Sequence, residues 1–433
     1  MSVTPGRIDQ AAIATLLAER IDWRFKGMPA SLFGLSIAAA RDRQPNLFTD
    51  GFLPPLVALD DAAMSHNLTT FAAWCAERGL AHAPHGKTTM APQLYARQFE
   101  LGAWGQTAAN ASQLRVYRAF GVSPVLLANQ LLDAAALRWL AEELAADQDF
   151  DFCCWVDSQR GVALMTEALA GAERPVDVLV ELGAPGGRTG ARDAATAVAI
   201  AEAVAASPAL RLTGVGGYEG AVAHGTDDAA LTAVHDYLTA LRELAIDLDR
   251  RGLFGRLDRV IVTAGGSAYF DVVADVLAAP WPAGLPVLPV VRSGAYLTHD
   301  AGLYRRASPL GETPRLPVAP LRSALRAWGQ VTSKPEADLA LLTMGKRDVP
   351  YDIDPPTPEV VRRDGESTPI TGTVTELNDQ HTFLTGFDAS TAVEVGDWVG
   401  FGLSHPCTTF DKWTLLPVVA EDGTVVDLIR TFF

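Results

Sequence analysis

The strongest constraint on the fold is a regular alternation of short apolar runs with alanine-rich helical stretches. Parallel strands joined by right-handed crossovers produce this pattern. Eight units favour a closed (β/α)₈ barrel, and a doubly wound sheet with fewer strands is the alternative. The eight runs lie near Ala81–Pro84, Trp104–Thr107, Val125–Asn129, Phe150–Val156, Val176–Leu182, Leu212–Val215, Val260–Thr263 and Val287–Val291.

The pattern changes after Tyr304, where a connector rich in proline and arginine leads into short β-like runs separated by turn residues. Asp348–Thr368 is predicted to be a long polar loop within this region. Short strands with turn signals indicate an antiparallel β domain. The predicted organisation is therefore an N-terminal extension, residues 1–55, packing on the β domain, then a barrel, residues 56–308, then the β domain, residues 309–433.

Charge and composition exclude several classes of function. The formal net charge of −16 over 433 residues argues against a nucleic-acid partner, which needs basic patches, and against binding to anionic membranes. We find no signal-peptide pattern and no apolar run long enough to span a bilayer. The four cysteines have no framework spacing, which is typical of a reducing compartment. A soluble cytoplasmic protein is expected.

Polar residues follow the apolar runs where a barrel collects its active-site groups. A glycine turn before a helix, such as Gly265-Gly266-Ser267 after the seventh run, can bind phosphate through its amides, or it can be a plain turn. Arg188, in the glycine-rich loop after the fifth run, is either part of a flexible turn or directed at a ligand ring or anion. The other candidate residues at strand ends are His85, Lys87, Tyr218, Ser293, Gly294 and Tyr296.

Lys87 ends the first apolar run and directly precedes a predicted helix. A single lysine is most often an ordinary solvated residue. If the phosphate belongs to pyridoxal phosphate, however, a lysine is required, because its amine condenses with the cofactor aldehyde. Once a substrate displaces it, the same amine can move the α-proton.

His405 and Cys407 follow a strand-like run, Trp398–Gly402, at alternate positions. On an extended chain both side chains project to the same side. Imidazole and thiolate form a zinc-type ligand pair, and two ligands leave positions open for water, a carboxylate or substrate. The competing interpretation is a buried cysteine beside a hydrogen-bonded histidine.

Taken together, these residues resemble the fold-type III pyridoxal-phosphate enzymes, specifically the D-threonine aldolase and D-serine dehydratase-like family. The resemblance covers about residues 55 to 415. The segments that carry it are Pro84-His85-Gly86-Lys87-Thr88, Tyr218-Glu219-Gly220, Gly265-Gly266-Ser267, Ser293-Gly294-Ala295-Tyr296, Asn378-Asp379-Gln380-His381 and His405-Pro406-Cys407. Ser404, before the metal motif, and Thr89-Met90-Ala91-Pro92, after the lysine, depart from the family pattern.

The resemblance implies an alanine-racemase-type (β/α)₈ barrel with a C-terminal, mostly antiparallel β domain, usually dimeric. It assigns cofactor attachment to Lys87 and metal binding to His405 and Cys407. Further cofactor contacts are implied for His85, Arg188, Tyr218, Gly265, Gly266, Ser267, Ser293, Gly294 and Tyr296.

The resemblance implies an enzyme that acts on a small amino acid, and Cys407 bears on which reaction it catalyses. Within the family, the aldolases tend to carry His-x-Asp and the dehydratases His-x-Cys, and a thiolate favours zinc over manganese or magnesium. We therefore expect a zinc-assisted dehydratase of a 3-hydroxy D-amino acid such as D-serine or D-threonine. The alternatives are a D-threonine aldolase, a racemase using Tyr296 or His299 as second base, a non-catalytic cofactor carrier and a metal-only hydrolase.

Overall fold

The structure is a computed structural model that describes residues 4–387 and 393–433. The described chain forms two compact units, which we name the barrel unit and the β unit. The barrel unit comprises residues 4–9, Phe71–Lys87 and Tyr95–Gly294. The β unit comprises Gln10–Thr70, Thr88–Leu94 and the described part of Ala295–Phe433.

The barrel unit is built from alternating strands and helices, as predicted. Its strands are β2 (Ala81–His82), β3 (Gln106–Ala108), β4 (Val125–Gln130), β5 (Phe152–Val156), β6 (Val176–Leu182), β7 (Leu210–Gly217), β8 (Val260–Ala264) and β9 (Val287–Val291). The helices between them are α4 (Pro92–Glu100), α5 (Ala111–Ala119), α6 (Ala134–Ala146), α7 (Gln159–Ala168), α8 (Ala194–Ala205), α9 (Asp228–Arg250) and α10 (Phe270–Leu277). Helix α3 (Asp61–Glu77) precedes β2.

The eight strands form one parallel sheet in the order β2-β9-β8-β7-β6-β5-β4-β3. Its two edge strands meet, because Trp104 N donates to His82 O at 2.7 Å and Thr107 N donates to Pro84 O at 2.8 Å. A parallel bridge between His85 and Thr107 completes the ring. Consecutive order with closure excludes a doubly wound sheet, whose strand order reverses at a switch point. The predicted barrel is confirmed.

Side chains at alternate strand positions fill the barrel, since neighbouring residues of a strand face opposite sides of the sheet. Trp155 and Leu179, which are 1% and 0% exposed, belong to this core. Its other members are Ala81, Ala83, Trp104, Leu126, Ala128, Cys153, Ile261, Leu288 and Val290.

Short polar side chains define where the barrel helices begin. A residue before the first helical turn accepts a hydrogen bond from an amide of that turn, which would otherwise have no partner. For example, Gln113 N donates to Asn110 Oδ1 at 3.0 Å. The same arrangement starts four further helices, at Asp133, Ser158, Asp193 and Asp227.

The β unit contains a larger, mostly antiparallel sheet with the path β13-β12-β16-β10-β1-β17-β18 and the branch β10-β11-β15-β14. Its strands are β1 (Leu56–Asp60), β10 (Leu325–Glu336), β11 (Leu339–Leu342), β12 (Thr357–Arg363), β13 (Glu366–Pro369), β14 (Thr373–Leu377), β15 (Thr382–Thr385), β16 (Trp398–Gly402), β17 (Leu415–Val419) and β18 (Val425–Arg430). Its helices are α1 (Gln10–Leu17), α2 (Ile37–Asp42), α11 (Leu303–Ala307) and α12 (Cys407–Phe410).

The prediction of a long loop over Asp348–Thr368 is wrong in its second half. Strands β12 and β13 form a hairpin there. Its turn is Asp364-Gly365, with φ angles of 50° and 88°, as a two-residue hairpin turn requires. The hairpin lies at the sheet edge with mostly exposed or half-exposed side chains, so it lacks the apolar alternation that marks a strand.

Strand β1 precedes the barrel strands in the chain but pairs with β10 and β17 in the β unit. Residues 45–47 also join this sheet, since Leu47 N donates to Gly423 O and Val425 N donates to Pro45 O.

The three domain ranges predicted from the sequence, residues 1–55, 56–308 and 309–433, stay predictions. The described part of the chain contains no helix with the length and apolarity that a membrane crossing requires.

We expect Leu179→Ala to destabilise the protein, because Leu179 is fully buried in the barrel core. Removing such a side chain leaves a cavity and typically costs about 2–5 kcal/mol of unfolding free energy. Urea denaturation measures the change. The matched control is Leu132→Ala, since Leu132 is 43% exposed and should cost far less. Equal losses in both variants would contradict the barrel packing.

Candidate active site

The predicted cofactor residues, except Tyr296, lie in the barrel unit where strands end. Because parallel strands end at the same rim of a barrel, these loops converge. The residues follow β2 (His85 and Lys87), β6 (Arg188), β7 (Tyr218), β8 (Gly265, Gly266 and Ser267) and β9 (Ser293 and Gly294). The topology therefore brings these nine residues to one rim.

His85 lies among three cationic side chains. Burial, and then the positive charges of Lys87, Arg292 and Arg188, hold its pKa well below the usual range. The imidazole is therefore neutral near pH 7. Its backbone is tied to the last barrel strand, since His85 N donates to Arg292 O at 3.1 Å. Strand-end topology thus surrounds a neutral histidine with positive charge.

Arg292, directly after β9, is 1% exposed. Its guanidinium donates to Thr263 Oγ1 and to Gly217 O, both at 2.6 Å. It also lies 4.9 Å from the centre of the Trp155 ring. Burial lowers its pKa to about 10, so it remains charged at neutral pH. Arg292 directly follows the predicted run Val287–Val291, and no role was predicted for it.

The glycine turn after β8 binds an internal carboxylate. Gly265 N donates to Glu219 Oε2 at 2.9 Å, and Gly266 N donates to Glu219 Oε1 at 2.5 Å. Gly265 has a φ of 112°, which few other residues adopt, and a Cβ there would lie 2.7 Å from Val291 Cγ2. The turn thus has the amide geometry of an anion site, and its two first amides hold Glu219.

The loop after β9 is connected to this turn. Ser293 Oγ donates to Gly266 O at 3.0 Å, and the His82 ring donates through Nε2 to Ser293 O at 3.0 Å. Burial lowers the pKa of His82 to about 4, which keeps the ring neutral. Gly294 is required here because a Cβ would lie 2.6 Å from His85 O.

Arg188 and Tyr218 contact each other. The Arg188 guanidinium lies 4.7 Å from the centre of the Tyr218 ring, and Arg188 remains exposed. Glu181, buried near the end of β6, accepts from Thr189 Oγ1 at 2.8 Å and from Gln130 Nε2 at 2.5 Å. Burial raises the pKa of Glu181. These contacts hold the glycine-rich loop against the barrel while its arginine stacks on the tyrosine.

The metal motif lies in the β unit, in a geometry that differs from the prediction. His405 has a φ of 63°, Pro406 is in the right-handed helical region, and helix α12 begins at Cys407. The extended chain assumed for the pair is therefore wrong. A tight turn, rather than strand alternation, brings both side chains to one side, and the imidazole hydrogen bonds the Cys407 sulfur.

The His405 ring is oriented by a carboxylate. Its Nδ1 lies 2.5 Å from Asp352 Oδ2, and Thr408 Oγ1 donates to the other oxygen of Asp352 at 3.0 Å. The hydrogen bond with Cys407, and then Asp352, raise the pKa of His405 to about 9. Burial raises the pKa of Asp352, but hydrogen bonds from His405 and Thr408 outweigh it and lower the net value. Asp352 is thus an ionised acceptor for Nδ1, and the other ring nitrogen, Nε2, would bind a metal after losing its proton.

The left-handed conformation of His405 is held by Asp300. His405 N donates to Asp300 Oδ2 at 3.1 Å, and Tyr304 N donates to Asp300 Oδ1 at 2.8 Å. Such backbone strain persists only where surrounding contacts enforce it. Cys407 Sγ lies 3.4 Å from Thr88 Oγ1.

The side chains present fit a metal in the β unit and an anionic cofactor in the barrel unit. The described residues contain no group of three or more His, Cys, Asp and Glu side chains that could hold a metal ion. Imidazole plus thiolate nevertheless fits zinc with open positions, and an Nδ1-bound carboxylate is the usual outer partner of a metal histidine.

In the described barrel unit, three buried nitrogens near the strand ends have no hydrogen-bond partner: His85 Nδ1, Trp155 Nε1 and Arg292 Nε. These nitrogens, with the positive charges of Lys87, Arg188 and Arg292 around His85, fit a large anionic cofactor.

Tyr296 lies in a one-turn helix, Ala295–Leu297, of the β unit and is buried. His299 follows in the same unit, and burial lowers its pKa to about 4. The contact between Tyr296 and the cofactor stays a prediction.

Sequence reasoning missed four of the residues that shape these sites. Arg292 was detectable as a charged residue at the end of a fully apolar run. Glu219 was visible within Tyr218-Glu219-Gly220 but received no role. Asp300 and Asp352 contact His405 across 105 and 53 residues of chain, and no local pattern marks such contacts.

Two family models match the chain. The alanine racemase N-terminal domain matches residues 59–270, and the putative serine dehydratase domain matches residues 324–419. The chain therefore belongs to the alanine-racemase-like, fold-type III pyridoxal-phosphate enzymes that carry a serine-dehydratase-type C-terminal domain. The predicted family is confirmed.

The chain is similar in sequence to an aldolase and shares its fold with a dehydratase. The chain is 27% identical to a D-threonine aldolase of Arthrobacter sp. over 385 residues, which cover 86% of this chain and 90% of the relative. The crystal structure of D-threonine aldolase from Filomicrobium marinum is similar at 25% identity and a TM-score of 0.73, covering 88% and 95% of the two chains. D-threo-3-hydroxyaspartate dehydratase from Delftia sp. HT23 shares the fold at 20% identity and a TM-score of 0.70, covering 90% and 99%.

We expect Asp352→Asn to weaken zinc binding by about 10-fold, the lower end of the range for outer-shell partners, because Asp352 is solvent-exposed. An asparagine can still accept from Nδ1 but no longer carries the charge that raises the basicity of the ring. Competition with a zinc chelator measures the affinity without using activity.

The matched control for this substitution is Asp364→Asn in the β12–β13 turn. Asparagine tolerates the positive φ of that position, so the turn should be kept. Zinc affinity should be unchanged in this variant. Equal zinc affinity in all three proteins would show that Asp352 does not support the metal histidine.

Proposed function

We propose that this protein is a pyridoxal-phosphate- and zinc-dependent dehydratase of a 3-hydroxy D-amino acid, such as D-serine or D-threonine. It would release a 2-oxo acid and ammonia by α,β-elimination. The carrying observation is the thiol of Cys407 beside the carboxylate-oriented His405. Family membership supports the cofactor, and the ligand pair supports the reaction type.

The barrel unit supplies the groups that would hold the cofactor. Lys87 would bind it covalently through its amine, with Arg188 and Arg292 providing positive charge for an anionic ligand. The unpartnered Trp155 and Arg292 nitrogens are donors that such a ligand can satisfy, and His85 Nδ1 is a third donor in the tautomer that carries its proton there. When bound, pyridoxal phosphate serves as an electron sink for the electrons released at Cα.

Lys87 is the proposed base. After a substrate amine has replaced it, the free ε-amine can take the proton from Cα. His85 is an unsuitable base, because burial and three neighbouring cations disfavour its protonated form.

His405 and Cys407 are the proposed zinc ligands. When bound, zinc can stabilise the departing β-hydroxyl as a Lewis acid. A thiolate ligand favours zinc over manganese or magnesium, which prefer oxygen donors. Asp352 keeps the His405 ring in place by accepting from Nδ1.

A D-threonine aldolase is the second candidate. It is favoured by the 27% identity to the Arthrobacter enzyme over 90% of that protein. In that reaction the β-hydroxyl loses its proton and the Cα–Cβ bond breaks, which gives glycine and an aldehyde. The homodimer that the resemblance implies and a cytoplasmic location stay predictions.

We expect zinc-loaded protein to convert D-threonine into 2-oxobutanoate and ammonia, and D-serine into pyruvate and ammonia. Mass spectrometry of the products, with an ammonia assay, measures the outcome. L-Threonine serves as the control for stereochemistry. Glycine with acetaldehyde would instead show retro-aldol cleavage, and the inference from Cys407 would be wrong.

We expect Lys87→Ala to abolish covalent attachment of the cofactor. Borohydride reduction of the yellow wild-type protein should fix the cofactor on the peptide that contains Lys87, and the variant should carry no fixed cofactor. Peptide mass mapping measures this directly. The control is Lys346→Ala, since Lys346 is exposed in the β unit. Cofactor fixed to the Lys87→Ala variant would contradict the assignment.

A further inference from the structure

Glu219 is a buried carboxylate that the proposed chemistry does not use. It begins the one-turn helix Glu219–Ala221 directly after β7 and is 0% exposed. Its two oxygens accept from the consecutive amides of Gly265 and Gly266. The anion-binding concavity of the glycine turn therefore already holds an internal anion.

A phosphate on these same two amides would have to displace Glu219. The displaced carboxylate would lose both charge-assisted hydrogen bonds from the Gly265 and Gly266 amides. Burying a charge without partners is strongly unfavourable. Glu219 is therefore a permanent part of the turn.

The turn is fixed on its other sides as well. Ser293 Oγ donates to Gly266 O at 3.0 Å, so the Gly266 residue is held through both its N–H and its C=O. Val291 Cγ2 packs where a Gly265 Cβ would lie. The direction in which the chain leaves the turn, through Ser267 towards α10, is thereby determined.

We propose that Glu219 is a positioning residue for the cofactor phosphate. By holding the amides of Gly265 and Gly266, it aims the next residues, from Ser267 to the start of α10, at the phosphate. The donors to the phosphate then come from this later segment and not from the two glycines. The inference rests on the proposed pyridoxal-phosphate function and deepens it.

The test compares two ligands that differ only in the phosphate group. Full-length protein is stripped of cofactor, and the dissociation constants of pyridoxal phosphate and of pyridoxal are measured by absorbance titration. Glu219→Gln keeps the shape of the side chain, but its NH₂ group faces an amide donor and cannot accept from it. We expect pyridoxal phosphate to bind about 10- to 100-fold more weakly, as for loss of a hydrogen bond to a charged group. Pyridoxal affinity should be unchanged.

A second variant covers the case in which Glu219→Gln does not fold. Glu219→Asp keeps the negative charge near Arg292 but is one methylene too short to reach both amides. The same phosphate-selective loss is expected. Asp177→Asn is the control. Asp177 lies near the start of β6, whereas Glu219 follows the end of β7, and the Asp177 carboxylate is paired with Arg211 at 2.5 Å. This variant should leave both dissociation constants unchanged.

Two outcomes would overturn the inference alone. Tighter binding of pyridoxal phosphate to the Glu219 variants would show that the carboxylate occupies the phosphate position. Equal weakening of pyridoxal phosphate and pyridoxal would show a general structural role. If the wild-type protein binds neither ligand, the proposed cofactor function fails, and the inference fails with it.

Discussion

The positive charge of Arg292 inside the barrel rim is the constraint on which the rest of the site depends. At a pKa of about 10 the group stays ionised, although it is almost entirely enclosed. A buried charge is tolerated only with hydrogen-bond partners and opposite charge. Thr263 and Gly217 accept hydrogen bonds from Arg292, and Glu219 supplies the opposite charge. Burial, and then the positive charges of Lys87, Arg292 and Arg188, keep His85 neutral by lowering its pKa, which leaves the rim suited to an anionic ligand.

The His405 loop depends on backbone control of a different kind. Asp300 is buried, and it accepts amides from both His405 and the start of α11. It therefore links the loop after β16 to the segment after Tyr296 and holds His405 in a conformation that few residues adopt unaided. Because the His405 ring also donates to Asp352, Asp300 holds the backbone of this residue and Asp352 holds its side chain.

The barrel could be predicted from the sequence because its strands are buried on both faces and read as continuous apolar runs. Two of the predicted strands, Val176–Leu182 and Val287–Val291, have the observed limits. The exposed edge hairpin β12–β13 has no such run, and its one local signal in the sequence is the pair Asp364-Gly365. Strand-end topology predicted which residues gather at the rim. The turn that pairs His405 with Cys407 could not be predicted, because Asp300 imposes it from a distant part of the chain.

Elimination and retro-aldol cleavage make different demands on bases. Elimination requires one base at Cα, the role proposed for Lys87, and a Lewis acid for the leaving hydroxyl. Retro-aldol cleavage requires a base for the hydroxyl proton. His405 cannot be that base once Nε2 binds a metal, because Nδ1 already donates to Asp352. Cys407 would be a metal ligand in either case. A metal held by His405 and Cys407 would thus supply a Lewis acid while leaving His405 unable to act as a base, a combination that serves elimination better than cleavage.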